Sequence, residues 1–209
     1  MIDVLIADDH AILRRGLLQI LSEDPGITVK DEASDGYEVL EKVRSARYDV
    51  LVLDISMPGL SGIDVLRQVR KEYPDLPVLI LTIHSEDQYA LRVLKGGASG
   101  YMTKDAAPDE LIKAVKKVSQ GKKYISENLA EKLALYIQRG PEKALHENLS
   151  EREYIVLCLI GEGKRNKEIA SELNLSPKTV STYKSRILEK MKMKTNAQLI
   201  SYVIQKKLT

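Results

Sequence analysis

Short aliphatic runs, unbroken by polar residues, constrain the fold of this chain more than any other feature of its sequence. The clearest lie at residues 4–7, 50–53 and 78–81, and weaker ones lie at residues 27–33 and 99–102. A strand is continuously apolar when both of its faces are buried, as in a parallel sheet covered by helices. We therefore predict five parallel strands in the first 120 residues.

Amphipathic segments of helical length separate these runs. Residues 11–22 carry four leucines on one stripe, and residues 108–120 turn aliphatic side chains inward and lysines outward. Pro108 suits the first turn of the second segment, and Gly121 suits the position just past its end. Alternating strands and helices are joined by right-handed crossovers, so we expect an α/β, doubly wound, flavodoxin-like sheet of five parallel strands.

The pattern changes after Gly121. One further helix is predicted at residues 126–138, and the Arg-Gly-Pro-Glu sequence at residues 139–142 is typical of a linker. From Leu149 onward the periodicity is helical, with no strand-like run. We therefore predict a first domain at residues 1–121, a linker with one helix at 122–147 and an all-α domain at 148–209.

Composition restricts the class of protein. The single cysteine, Cys158, excludes an internal disulfide, and its aliphatic neighbours favour a buried structural role. No apolar run approaches the roughly 18 residues of a membrane helix. Charges at Asp3, Asp8 and Asp9 argue against a signal peptide. We expect a cytoplasmic protein without a membrane partner.

Charge is distributed unevenly along the chain. Residues 147–209 hold 12 Lys or Arg and 7 Asp or Glu, a net charge of +5. Residues 1–146 hold 20 and 23, a net charge of −3. A small basic half suggests a polyanionic partner such as a nucleic acid, although a basic surface that is only solvated is the alternative.

Acidic residues follow two of the predicted strands. Asp8 and Asp9 end the first strand, and Asp54 ends the third. In the strand order 2-1-3-4-5 these strands are neighbours, and functional groups collect there beyond the carboxyl ends. Three clustered carboxylates repel one another unless a cation lies between them, and oxygen ligands with open water positions suit Mg²⁺.

Two more polar residues reach the same edge of the predicted sheet. Thr82 ends the fourth strand and Lys104 follows the fifth. A hydroxyl group and a cation beside a metal–carboxylate site can hold the oxygens of a phosphoryl group. Helix capping or simple solvation would explain either residue alone, but five polar residues at consecutive strand ends indicate a site.

The loop after Asp54 is conformationally restricted. Pro58 fixes the dihedral angle φ there, and Gly59 and Gly62 allow a close approach of the backbone.

These features resemble the receiver domain of bacterial two-component response regulators. The matching residues are Asp8 and Asp9, Asp54 with Met57, Pro58 and Gly62, Thr82, and Gly100 with Tyr101 ahead of Lys104. The resemblance implies that Asp54 accepts a phosphoryl group from a sensor histidine kinase. It also implies that Asp9, Asp54 and the main-chain carbonyl of Ser56 hold Mg²⁺, with Asp8 nearby through water.

The same resemblance implies a conformational switch. Thr82 and Lys104 would hold the phosphoryl oxygens, and Tyr101 would turn inward as Thr82 shifts. Ser56 and His84 lie two residues beyond Asp54 and Thr82, where this family tunes the lifetime of the phosphoryl group. The three histidines, His10, His84 and His146, show no metal-ligand spacing, and His10 needs no catalytic role.

Residues 166–191 have the pattern of two short helices. Ile169, Ala170 and Leu173 share an apolar stripe, Asn174 and Leu175 make a turn, and Ser176 with Pro177 begins the next helix. Val180, Ile187 and Met191 are expected to face inward. This arrangement suits a helix-turn-helix whose second helix enters the major groove, but an ordinary helical bundle fits the periodicity equally well.

The basic half resembles the four-helix LuxR-type DNA-binding domain. The matching pieces are LSERE at residues 149–153, Gly163, NKEIA at residues 166–170, and Ser176 with Thr179 and Val180. Together the two halves resemble the NarL/FixJ class of response regulators. The candidate DNA-binding residues are Lys178, Thr179, Ser181, Thr182, Lys184, Ser185 and Arg186. Tyr183 stands where many relatives have His, so the assignment of base contacts stays open.

The resemblance implies a transcriptional regulator that binds promoter DNA and dimerises when phosphorylated. A Mg²⁺-dependent phosphohydrolase with Asp54 as nucleophile is the main alternative. Haloacid-dehalogenase-type enzymes need an Asp-x-Asp pair to supply the general acid, and the sequence contains none. A binding module that never becomes phosphorylated is a second alternative. We do not expect an enzyme, because the phosphoryl group would be transferred to the chain itself.

Overall fold

Two compact units make up the chain. A computed structural model describes residues 1–84, 86–106, 108–139, 145–173, 175–206 and 208. The units are Met1–Glu131 and Lys132–Thr209. Residues 140–142 of the predicted linker and Asn174 of the predicted turn lie outside the described residues. The domain limits drawn from the sequence at residues 121 and 148 stay a prediction.

The first unit, over its described residues, alternates five strands with five helices. The strands are β1 (Ile2–Ala7), β2 (Ile27–Ala33), β3 (Val50–Leu53), β4 (Val78–Thr82) and β5 (Gly100–Thr103). The helices that follow them in turn are α1 (Ala11–Ser22), α2 (Gly36–Ser45), α3 (Gly62–Glu72), α4 (Glu86–Lys95) and α5 (Pro108–Ser119). The strands are parallel in the order β2-β1-β3-β4-β5, which confirms the doubly wound prediction.

Burial explains why the strands are so apolar. Every residue of β3 and β4 is buried, since both strands lie inside the sheet. Leu17 and Leu21 of α1 pack in the same core as Leu111 and Val115 of α5. Leu13, Leu17 and Leu21 of the predicted leucine stripe therefore face the core, whereas Leu18, which was predicted to share that stripe, is 37% exposed.

Several element limits differ slightly from the prediction. Strand β5 begins at Gly100 instead of residue 99, and α5 ends at Ser119 instead of residue 120. Helix α6 spans Glu127–Arg139 instead of residues 126–138. Ser126 precedes it as a cap, because its hydroxyl accepts a hydrogen bond from the Leu129 N–H at 3.1 Å. Gly121 has φ of +76°, which confirms its position just past the end of α5.

The second unit is helical throughout its described residues. A turn of 3₁₀ helix, Leu145–Asn148, precedes α7 (Glu151–Gly161), α8 (Asn166–Glu172), α9 (Pro177–Lys190) and α10 (Asn196–Lys206). Ser150 and Glu153 form a capping box at the start of α7, and Glu153 also accepts a hydrogen bond from Lys190 of α9 at 2.6 Å. Cys158 is buried in α7, as predicted.

Over the residues that the structure describes, no helix has the length and apolar character that crossing a bilayer requires.

Two glycines shape the loop between β3 and α3. Gly59 has φ of +69°, a conformation that other residues adopt rarely. A Cβ atom on Gly62 would lie 1.9 Å from the main-chain oxygen of Asp54. Only glycine therefore fits at residue 62, and the predicted close approach of the backbone is confirmed.

We predict that Gly62→Ala destabilises the first unit by about 3 kcal/mol, since the added methyl group must displace the backbone at Asp54. Gly16→Ala is the matched control, because a Cβ atom at Gly16 meets nothing within 4 Å in the middle of α1. That change should stabilise the unit by about 0.5–1 kcal/mol.

Native-state hydrogen exchange of the β1 and β3 amides measures both effects in the full chain. Equal protection in the Gly62→Ala and Gly16→Ala proteins would contradict this explanation of the loop.

Candidate functional site

The register of the central strands brings three carboxylates together. Ala7 of β1 pairs with Leu53 of β3, so the next residues, Asp8 and Asp54, leave the sheet side by side. Both are buried, at 1% and 2% exposure, and Asp9 is partly buried beside them. One carboxylate oxygen from each of the three lies within 4.8 Å of the others. The predicted carboxylate cluster is therefore present at this edge.

A buried ammonium group neutralises part of this cluster. Lys104 follows β5, and its Nζ atom lies 2.6 Å from Asp8 Oδ2 and 2.7 Å from Asp54 Oδ2. Burial lowers the pKa of Lys104, but the charges of Asp54 and Asp8 outweigh it and raise the pKa overall. Lys104 is therefore a fixed cation in direct contact with Asp54.

Thr82 and Tyr101 lie beside this contact. Thr82 is fully buried at the end of β4, and its carbonyl accepts a hydrogen bond from the Lys104 N–H at 2.8 Å. Tyr101 is turned inward, with 1% exposure, and its hydroxyl donates to the carbonyl of His84 at 2.9 Å. Burial, together with the charges of Glu86 and Asp54, raises the pKa of Tyr101, so the hydroxyl stays protonated and can donate.

Two loops meet through Ser56 and His84. The Ser56 hydroxyl and His84 Nε2 are 2.9 Å apart, and the Ser56 N–H donates to Asp54 Oδ1 at 3.3 Å. The His84 ring lies 4.5 Å from the ring of Tyr89, measured between centroids. Sequence reasoning gave each residue a position near the site but did not predict this pair, because the contact depends on the conformations of both loops.

His10 lies beside the carboxylate cluster. The sequence showed no metal-ligand spacing for any histidine, but a His10 ring nitrogen lies within 4.8 Å of the clustered oxygens of Asp8, Asp9 and Asp54. Its Nδ1 atom is 2.7 Å from Asp9 Oδ1. The histidine directly follows two acidic residues, and this neighbourhood was the signal that a search for regular ligand spacing missed.

Helix α9 presents most of the predicted DNA-binding residues. Lys178, Ser181, Thr182, Ser185 and Arg186 are exposed, whereas Thr179 and Lys184 are half-buried. Val180, Ile187 and Met191 are buried on the other side, as predicted. Ser176 caps the helix by accepting from the Thr179 N–H at 3.0 Å, and Pro177 occupies the first turn.

The hydroxyls on this surface already donate within the helix. Ser181, Thr182 and Ser185 each donate to the carbonyl four residues earlier, at 3.0 to 3.1 Å. In this state they offer outward lone pairs and, at Thr182, a methyl group. Ser181 also accepts from the side-chain amide of Asn166 at 3.0 Å, which links α8 to α9.

Some cations of the second unit are neutralised by neighbouring carboxylates. Lys164 Nζ lies 2.9 Å from Glu162 and 2.7 Å from Glu172, and Lys190 pairs with Glu153. Lys178 and Arg186 on α9 are exposed cations.

Comparisons with known proteins identify a family for each of two long stretches of the chain. Residues 4–116 match the response regulator receiver domain, and residues 147–203 match the luxR family of bacterial regulatory proteins. The chain is 37% identical over 207 residues to the response regulator UvrY of Escherichia coli K12, covering 98% of this chain and 94% of that protein.

Two solved structures of RcsB are also similar. One is RcsB from Salmonella enterica serovar Typhimurium bound to promoter rprA in the presence of the phosphomimetic BeF3−, with 28% identity and a TM-score of 0.64. It aligns over 97% of this chain and 98% of that one. The other contains two RcsB dimers bound to two parallel DNAs, with 29% identity, a TM-score of 0.60 and the same coverage.

A receiver fold with its acidic edge, followed by four helices of the LuxR type, spans nearly all of the chain. The chain therefore belongs to the DNA-binding response regulators of bacterial two-component systems, in the NarL/FixJ class.

Proposed function

We propose that Asp54 accepts a phosphoryl group from a sensor histidine kinase and that this modification controls dimerisation and promoter binding. The observation that carries the proposal is the buried Asp54 carboxylate, 2.7 Å from Lys104 and clustered with Asp8 and Asp9. A phosphoryl acceptor needs shielding from water together with nearby charges that stabilise the transition state of the transfer, and this arrangement offers both.

The proposed transfer is a displacement at phosphorus. A carboxylate oxygen of Asp54 forms the new P–O bond, the bond from phosphorus to the kinase's histidine nitrogen breaks, and that nitrogen keeps the electron pair. Thr82 and Lys104 would hold the phosphoryl oxygens. Lys104 is suited to this role because it is charged and already in contact with Asp54.

The donor set of the cluster fits Mg²⁺. Asp9, Asp54 and the main-chain carbonyl of Ser56 would hold the ion, and Asp8 would act through water. When bound, Mg²⁺ would neutralise charge on the carboxylates and on the incoming phosphoryl oxygens. Hard oxygen ligands at a partly open edge support this assignment over a closed structural site.

The second unit would read promoter DNA through α9. Lys178, Lys184 and Arg186 would mainly contact phosphates, whereas Ser181, Thr182 and Ser185 are short enough to approach base edges or thymine methyl groups. Thr179 would contribute less directly, because its hydroxyl lies 2.8 Å from the Ser176 hydroxyl within the helix cap. Two phosphorylated copies would match two half-sites, as the RcsB dimers on DNA suggest.

Residues 123–129 pass beside β5 and include the first three residues of α6, and we name this segment the connector. Tyr124 extends the sheet beside β5, since its carbonyl accepts from the Tyr101 N–H at 3.1 Å and its N–H donates to Ser99 at 3.0 Å. The Ser126 hydroxyl donates to Glu86, the first residue of α4, at 2.6 Å. Shifts at Thr82, His84 and Tyr101 would therefore reach the start of α6.

In this role the protein itself accepts the phosphoryl group. We therefore propose a regulator and not an enzyme that turns over a separate substrate. Binding to promoter DNA would require the protein to work in the bacterial cytoplasm.

We predict that a small phosphodonor with Mg²⁺ adds one phosphoryl group to the full chain, measured by intact mass. Asp54→Asn keeps the shape of the side chain but removes the nucleophile, so it should gain nothing. An Asp54→Asn protein that gains the same mass would refute the assignment. Sustained release of phosphate over many equivalents of a phosphomonoester would instead support the phosphohydrolase alternative.

We predict that the connector couples phosphorylation to DNA binding. Ser126→Asp keeps a cap for α6 but repels Glu86, so the ratio of DNA affinities between phosphorylated and unphosphorylated protein should shrink about fivefold. The extent of Asp54 phosphorylation should not change.

Ser119→Ala is the matched control, since the Ser119 hydroxyl donates only locally to the Lys116 carbonyl at 2.9 Å. Affinity ratios that are equal in the Ser126→Asp, Ser119→Ala and unmodified proteins would argue against this route.

We predict two different defects on α9. Lys178→Ala should weaken binding to all duplexes alike and make the salt dependence shallower by roughly one unit of slope. Thr182→Ala should weaken the preferred site more than random DNA, by about 1 kcal/mol. Lys71→Ala, which removes an exposed cation of α3, serves as a charge-matched control.

Binding isotherms on specific and random duplexes at several salt concentrations distinguish these outcomes. An unchanged specific-to-random ratio in Thr182→Ala, with a changed ratio in Lys178→Ala, would mean that α9 is oriented differently in the groove.

A further inference from the structure

The hydroxyl of Ser181 on α9 is held from two sides. It donates a hydrogen bond to the Pro177 carbonyl, one turn earlier in the helix, at 3.0 Å. The side-chain amide of Asn166, the first residue of α8, donates to the same hydroxyl oxygen at 3.0 Å. Asn166 is half-buried, whereas Ser181 is exposed. The two contacts therefore fix the position of an oxygen atom on the exposed surface of α9.

These contacts also fix the direction of each hydrogen bond. A serine hydroxyl has one hydrogen and two lone pairs, and a carbonyl oxygen can only accept. The hydrogen of Ser181 therefore points to Pro177, and one lone pair accepts from the amide of Asn166. The orientation of that amide follows from the same network, since its oxygen would find no hydrogen at Ser181. One lone pair of Ser181 is left for a partner outside the protein.

Thr182 and Ser185 differ from Ser181 in this respect. Each donates to a carbonyl one turn earlier, at 3.1 Å. Over the part of the chain that the structure describes, neither accepts a hydrogen bond from another side chain. Rotation about χ1 would cost each of them one contact, whereas the same rotation at Ser181 would break two. Ser181 is therefore the most firmly oriented of the three hydroxyls.

The bases of DNA present different groups in the major groove. Adenine N6 and cytosine N4 donate hydrogen bonds, whereas thymine O4 and guanine O6 only accept them. A hydroxyl held as an acceptor can bond to either amino group and keep its own bond to Pro177. To bond to thymine or guanine, Ser181 must turn its hydrogen away from Pro177 and lose that bond. The loss of one neutral hydrogen bond corresponds to about fivefold in affinity.

We propose that Asn166 holds Ser181 as a hydrogen-bond acceptor and that α9 consequently selects an adenine or cytosine amino group at the base facing Ser181. The inference rests on the proposed reading of promoter DNA by α9 and adds the chemical group that one position prefers. Asn166 is a positioning residue in this scheme, because it acts through Ser181 and not on the DNA.

Selection from a library of random DNA duplexes, using the full chain after treatment with a phosphodonor, is the first test. Ser181→Ala should lose about fivefold of the preference at one base pair of each half-site. Asn166→Ala should weaken the preference at the same base pair and keep the others, because Ser181 is then free to turn its hydrogen toward a base. Ser171→Ala removes an exposed hydroxyl of α8 and, as the matched control, should keep every preference.

Base analogues in the selected duplex then identify the group that Ser181 contacts. Purine in place of adenine, or 2-pyrimidinone in place of cytosine, removes the amino group. This change should weaken binding about fivefold more in the unmodified protein than in Ser181→Ala. Removing the O4 or O6 oxygen from the opposite base should affect both proteins equally. The reverse result would mean that Ser181 donates, and it would overturn the proposal.

The selection experiment separates failure of this inference from failure of the proposed function. A library from which the unmodified protein selects no sequence would refute the proposed reading of promoter DNA. A selected sequence whose preferences are unchanged in Ser181→Ala would overturn only the role of Ser181. A loss spread evenly over all positions in Asn166→Ala would show a purely structural role for Asn166 and contradict the positioning role.

Discussion

One ammonium group between two buried carboxylates is the contact on which the rest of the first unit depends. Lys104 Nζ lies 2.6 Å from Asp8 and 2.7 Å from Asp54, and these three residues follow β5, β1 and β3. Removing one partner of a buried ion pair typically costs about 3–5 kcal/mol, because the remaining charge is left uncompensated. A phosphoryl group on Asp54 would compete for this ammonium group, so the ends of three strands would respond together.

Contacts at the same edge of the sheet explain how a local change at Asp54 could reach α6. The Lys104 N–H donates a hydrogen bond to the carbonyl of Thr82. Two residues after Thr82, the carbonyl of His84 accepts a hydrogen bond from the Tyr101 hydroxyl. Tyr101 belongs to β5, and its own N–H donates to the carbonyl of Tyr124 in the connector. The chain of contacts therefore runs from the acceptor to α6 through short hydrogen bonds and one strand. Two packing arrangements of these contacts, with phosphorylation favouring one, would suffice for a switch.

Sequence reasoning predicted those features of the site that depend on strand periodicity and strand order. Asp8, Asp54, Thr82 and Lys104 lie at one edge because each ends or directly follows a strand of a parallel sheet, and this rule needs no coordinates. It could not predict the Ser56–His84 pair or the pairing of Tyr124 with β5, which depend on loop conformations and on contacts between distant residues. The position of His10 beside the cluster, in contrast, follows from its place in the sequence directly after Asp8 and Asp9. For Gly62, the sequence indicated a close approach of the backbone, and the structure identified the Asp54 carbonyl as its partner.

Hydrogen–deuterium exchange of the full chain, before and after treatment with a phosphodonor, shows whether a change at Asp54 reaches the connector. We expect changed protection at the end of β4 and the start of α4, in β5, and in the connector at residues 123–129. Changes confined to the loop between β3 and α3 would contradict this expectation, because the phosphoryl group would then be felt only where it is attached.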